Sequence, residues 1–284
     1  MQNLKKQQNK VITQNNPSDQ SLMTFGGHLE VLRQMLLHII VAVLASSILV
    51  FYFKDDTFKI ILAPSDSNFI TYKIIESLMA KIGISFQFEK FEVCLITTEL
   101  SSQFMTHFSI SLYLGVLVTS PYILFEIIRF VTPALYENEK KTSWSLMFSI
   151  YFMFILGMTI NYFFVFPFSV RFLGTYSVAA KVHSTITLDS YMDTFTSLSL
   201  VMGVIFLLPI ISYILAINDI VCYEKVSGYR KHTIVVIATI SAIITPPDIM
   251  TLFLVAIPLY MLFELSLWIV KRFHRNQQKA DFQL

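Results

Sequence analysis

Six apolar stretches run along the chain between polar connections: Met35 to Phe53, Phe104 to Phe130, Trp144 to Phe166, Phe195 to Ile217, Thr233 to Ile244 and Ile249 to Val270. A helix needs about 20 apolar residues to cross the ~30 Å hydrocarbon core of a bilayer, and five of the six come to about that length. The fifth has only 12 residues, a length more usual for a buried or re-entrant segment. Charge placement still predicts a crossing there. Lys225, Arg230 and Lys231 precede a 39-residue stretch, 232 to 270, without Lys or Arg, which ends at Lys271, Arg272 and Arg275. That is too long for one span. Two short helices turning at Thr245-Pro246-Pro247-Asp248 return the chain to the basic side, since tandem prolines break a helix at such a corner.

Composition supports a bilayer as the solvent. Of 284 residues, 55% are hydrophobic and only 14% charged, against about a quarter charged in soluble domains. A formal charge of +2, with no basic run interleaved with aromatics, excludes a nucleic-acid partner. Orientation follows from Lys and Arg, which stay on the cytoplasmic or equivalent side. The segments to residue 34, 129 to 143, 218 to 232 and the tail hold 14 of the 21 basic residues. Both termini are therefore predicted on the cytoplasmic or matrix side. Residues 54 to 103, with seven Asp and Glu, form an acidic cap on the far side with a short amphipathic helix near Ile70 to Ile82. The division expected is a polar tail (1–27), one six-span membrane domain (28–270) and a basic tail (271–284). The first 22 residues lack a secretory apolar stretch and contain no arginine, so the chain is expected to be made in the compartment its N-terminus faces. Cys94 and Cys222 fall on opposite sides and predict neither disulfide nor metal site.

Ionisable and helix-breaking residues inside spans are the candidates for function, because each is expensive in hydrocarbon unless something answers it. Glu264 lies two-thirds along the sixth span with no basic residue near it in sequence. It reads as an isolated carboxyl group, either functional or hydrogen-bonded to a neighbouring helix. Glu126 and Arg129, at i and i+3, share a helix face and are expected to pair. His38 and His107 read as polar contacts at span ends. Pro121, Pro209 and Pro258 each remove a backbone hydrogen bond, which predicts three bent helices and a concave bundle.

Four segments in order carry a resemblance. They are His28-Leu29-Glu30-Val31-Leu32-Arg33 before the first span; Phe130-Val131-Thr132-Pro133-Ala134-Leu135-Tyr136 followed by Glu137, Glu139, Lys140 and Lys141 after the second; Phe166-Pro167 at the end of the third; and Thr245-Pro246-Pro247-Asp248 leading to Pro258 and Phe263-Glu264. Together they are similar to the TatC family of twin-arginine protein translocases. The resemblance implies an all-α integral membrane protein with six transmembrane helices in a glove-shaped bundle. It also implies a receptor and core subunit that binds twin-arginine signal peptides and moves folded proteins with the protonmotive force. Carried over by position, Glu139, Phe130, Glu137 and Glu30 are the signal-peptide candidates, and Glu264, Asp248 and Pro64 the intramembrane and corner candidates. Two positions depart from the family pattern: Val31 stands where the family has a glutamate, with Glu30 rotated by about 100°, and Leu207-Leu208 precede Pro209 where a polar residue is common.

The implied partners are single-span TatA or TatB-like proteins, twin-arginine precursors and further copies of the chain. No cofactor is expected. An organelle-encoded copy in the mitochondrial inner membrane is the favoured location, with plastid thylakoid and bacterial inner membrane open. The alternatives are a proton-coupled small-solute transporter using Glu264, Glu126 and Asp248, and a membrane assembly scaffold. An enzyme is not expected, because HExxH, G-x-S-x-G and paired intraspan aspartates are absent.

Overall fold

A computed structural model describes residues 25–85, 88, 91, 93–131, 143–177, 179, 185–217, 223–245 and 248–281. The chain forms α1 (Phe25–Tyr52), α2 (Lys54–Leu62), a 3-10 turn (Ala63–Ser65), α3 (Ile70–Lys81), β1 (Leu95–Ile96) and α4 (Ser102–Val131). It continues through α5 (Ser143–Ile160), a π segment (Asn161–Val165), α6 (Phe166–Thr175), β2 (Ile186–Thr187), α7 (Leu188–Ile205), α8 (Leu208–Ile217), α9 (Tyr223–Gly228), α10 (Arg230–Ile244) and α11 (Ile249–Asp281). Among the described residues five helical stretches are long and apolar enough to cross a membrane: α1, α4, α5 with α6, α7 with α8, and α11. The short fifth stretch is a helix too. At 15 residues, α10 reaches about 22 Å, less than the ~30 Å core.

The prolines act in three ways. Pro121 lies within α4 and has no N–H to give the carbonyl of Leu117, which instead accepts the Ser120 hydroxyl at 2.7 Å. Pro258 lies within α11. Before Pro209 the helix breaks at Phe206 and Leu207, dividing the fourth span into α7 and α8. Pro167 overturns one expected boundary. The third helical stretch does not stop at Phe166 but continues to Thr175, with a π segment widening the turn ahead of the proline. The Phe163 carbonyl that Pro167 cannot serve accepts Thr71 Oγ1 at 2.6 Å.

The core lies where α6, α7 and α11 meet, around Phe166, Leu198, Met202, Val255 and Leu259. Buried Asn161 joins the third and fourth spans by donating to Ser199 Oγ at 2.8 Å. On the other flank α1 packs along α4. There a Cβ on Gly115 would collide with Ser47, and Ser46 Oγ reaches both the Gly115 carbonyl (3.0 Å) and Thr119 Oγ1 (2.6 Å). Small residues and shared hydroxyls replace the missing hydrophobic drive between helices in lipid.

Candidate functional site

The two ends of the bundle are built differently. At one end the described parts of the segments 54–103 and 167–193 knit into a cap. β1 pairs in parallel with β2, and Tyr72, Tyr162 and Tyr191 donate to the carbonyls of Pro167 (2.8 Å), Ile60 (2.7 Å) and Ile61 (2.8 Å). Burial pushes the Tyr72 phenol well above its ordinary range, against the opposing pull of the Arg171 guanidinium, so it remains a donor. The short helix expected near Ile70 to Ile82 is α3, in this cap. Pro64 is fully buried in the 3-10 turn beneath it. It presents no exposed surface.

Asp248 caps α11, accepting from Thr251 N at 2.7 Å and from the Thr251 hydroxyl. One acidic site here was missed from sequence. Asp189, at the first turn of α7, accepts hydroxyl bonds from Ser102 and Thr106, one helical turn apart on α4. Together with Asp193, Thr196 and Ser197 it lines a cavity of ≈ 640 Å³ between α4 and α7. The i, i+4 hydroxyl pair was legible in the sequence, but the carboxylate it serves is 87 residues away.

At the other end lie the start of α1, the end of α4, α9, the start of α10 and the end of α11. Glu30 is exposed and pairs within its own helix with Arg33 at 3.3 Å, while Val31 is also exposed. Glu126 is buried, accepts Tyr122 OH at 2.9 Å and stands 4.0 Å from Arg129, as the spacing predicted. Phe130, half-buried, is the penultimate residue of α4. Glu137 and Glu139 lie outside the described residues, as do Pro246, Pro247 and Cys222.

The fold corrects the picture of Glu264. It is not an isolated carboxyl. Arg230, 34 residues earlier at the start of α10, donates to it at 3.0 Å, and Tyr260 donates at 3.2 Å from one turn below. The short fifth helix thereby brings a cation from the basic connection onto the sixth. His107 stacks on Phe51 at 3.9 Å and meets Phe58 edge-on, and its Nε2 is buried without a partner. Among the described residues no cluster of His, Cys, Asp or Glu could hold a metal ion.

Comparison with known proteins fixes the family. Residues 27–258 match the family model "Sec-independent protein translocase protein (TatC)". The chain is 30% identical over 256 residues to the TatC of Blattabacterium (strain BPLAN), covering 89% of this chain and 96% of that one. It is 32% identical over 255 residues to the TatC of Aquifex aeolicus, covering 89% and 97%. A solved structure described as the crystal structure of the twin arginine translocase receptor TatC superposes with a TM-score of 0.67 at 31% identity, covering 86% of this chain and 98% of that one. A multi-spanning helical bundle matched over nearly its whole length by sequence and by fold leaves one conclusion: this chain belongs to the TatC family, as a membrane subunit of the Sec-independent, twin-arginine protein translocase.

Proposed function

We propose that this subunit is the receptor for twin-arginine signal peptides, and that it recognises them at the basic-residue end of the bundle. The superposition on a solved structure described as a twin-arginine translocase receptor carries the reading. Arginine's planar fork meets a carboxylate through two parallel hydrogen bonds, so a paired-arginine signal calls for acidic groups at an accessible surface. Glu139 is the charged centre and Glu137 a second carboxylate; Glu30 is exposed at the same end and Phe130 packs against the apolar part of the signal. Glu264, tied to Arg230, fastens the short fifth helix to the sixth beneath that surface, and Asp248 fixes the opposite corner.

Single-span TatA or TatB-like proteins and further copies of the chain complete the assembly, which draws on the protonmotive force in an energy-transducing membrane. An organelle-encoded copy in the mitochondrial inner membrane fits the many Phe and few Gly of the sequence.

Charge reversal tests the recognition site. Glu139→Lys is expected to abolish cross-linking to a twin-arginine precursor and leave membrane abundance unchanged. Because Val31 replaces one family carboxylate, a Lys-Arg signal should be tolerated well. Precursor cross-linking that survives Glu137→Lys and Glu139→Lys together would overturn the proposal.

A further inference from the structure

Arg171 sits in α6 one turn before its end at Thr175, in the cap and at the close of a membrane-spanning stretch. Three aromatic rings surround its guanidinium, with Phe88 at 4.3 Å from the ring centroid, Phe91 at 5.0 Å and Tyr72 at 5.5 Å. Each ring is pinned by its own residue. Tyr72 OH donates to the Pro167 carbonyl (2.8 Å), Phe88 N donates to Glu76 Oε1 (2.8 Å), and the Phe91 carbonyl accepts from Ser67 N (3.2 Å). Rings held in this way attract a cation to their faces and fix its plane. They offer it no acceptor, and Arg171 Nη1 is buried without a hydrogen-bond partner. Among the described residues Arg171 makes no ion pair either.

Arg171 also lines a cavity of ≈ 230 Å³ between α6 and the start of α11. Its other walls are mostly apolar: Phe168 and Phe172 on one side, Met250 and Leu254 on the other. The nearby carboxylate of Asp248 is occupied by Thr251, and the Thr175 hydroxyl is given to the Arg171 carbonyl. Among the described residues around the cavity, Arg171 is thus the hydrogen-bond donor left open. A guanidinium that has no anionic partner among the described residues, above apolar walls and at the end of a span, matches a ligand with an anionic head and a hydrocarbon tail.

We infer that this cavity binds a membrane phospholipid, its phosphodiester on Arg171 and an acyl chain along Phe172 and Leu254. Guanidinium and phosphate oxygens are matched in geometry, and the head-group level of the bilayer supplies them locally at high concentration. The site lies at the far end of the molecule from the signal-peptide surface, so it stands independently of that proposal.

Native mass spectrometry of the full chain released from nanodiscs tests it, comparing phosphatidylglycerol with a galactosyl diacylglycerol of the same chains. The wild type is expected to retain one phosphatidylglycerol at activation energies that strip the others, and no galactolipid. Arg171→Gln should lower that retained fraction about tenfold, the loss of one charge-assisted contact. Leu254→Trp, which fills the cavity and leaves the guanidinium in place, should lower it as much, with both variants melting within a few degrees of the wild type in detergent. Equal retention of the two lipids, or unchanged retention in both variants, overturns the inference. So does displacement of the lipid by inorganic phosphate in millimolar excess, which would make the site one for a free anion.

Discussion

The cap and the opposite end of the bundle handle polar groups in contrasting ways. In the cap nearly every hydroxyl named above is spent on a backbone carbonyl or a carboxylate: Thr71, Tyr72, Tyr162 and Tyr191 on carbonyls, Ser102 and Thr106 on Asp189. Those bonds cross from loop to span over separations of 83 to 130 residues. At the other end the described polar contacts are chiefly within one helix, such as Glu30 with Arg33 and Tyr122 with Glu126, and the Arg230–Glu264 pair links two helices that are neighbours in the chain. One end is organised by long-range bonds that hold a fixed shape. The other keeps most of its described charges exposed and locally paired.

Substitutions at Tyr72, at the Arg230–Glu264 pair and at Glu30 sharpen or break that contrast. The largest effect is expected in the cap. Tyr72→Ala removes a fully buried ring and should cost about 3–5 kcal/mol, whereas Tyr72→Phe loses only the bond to Pro167, about 1 kcal/mol. Thermal unfolding in detergent followed by tryptophan fluorescence measures both; equal melting points for wild type and Tyr72→Ala would remove the cap's claim to rigidity. An intermediate effect is expected at Arg230. Its side chain and that of Glu264 are 44% and 36% exposed, so reversing Arg230 to Glu should lower stability by no more than about 1 kcal/mol. The double exchange Arg230→Glu with Glu264→Arg should restore it, and additive losses in that double-mutant cycle would show that the two groups do not interact. The smallest effect belongs to Glu30. Its exposed, intrahelical pair predicts a change within about 0.5 kcal/mol for Glu30→Ala, and a larger loss would mean that this end is as tightly bonded as the cap.

Much of the molecule is legible from local pattern. Hydropathy marks all six helices, because a segment in lipid must satisfy its own backbone bonds and must be apolar over its length. It marks the short α10 and the amphipathic α3 as well. The i, i+3 spacing of Glu126 and Arg129 gives their pair, since helix geometry alone sets that distance. Proline is read less reliably. Pro209 divides its span and Pro121 does not, because a helix survives where another group, here the Ser120 hydroxyl, takes the orphaned carbonyl.

What the sequence by itself determined is therefore the number, type and approximate limits of the membrane helices, the family, and the residues whose presence in a span required an answer. The answers came from tertiary structure. Glu264 looked alone because its cation is 34 positions earlier, and Asp189 went unnoticed because its two hydroxyl donors are more than 80 positions earlier. Arg171 likewise became a candidate site only when Tyr72, Phe88 and Phe91, all from the first far-side loop, closed around it. Backbone hydrogen bonds and hydropathy act over one to four residues and leave a periodic trace. The pairing of a buried charge depends on which helix faces which, and that is decided by packing between segments whose sequences carry no record of one another's position.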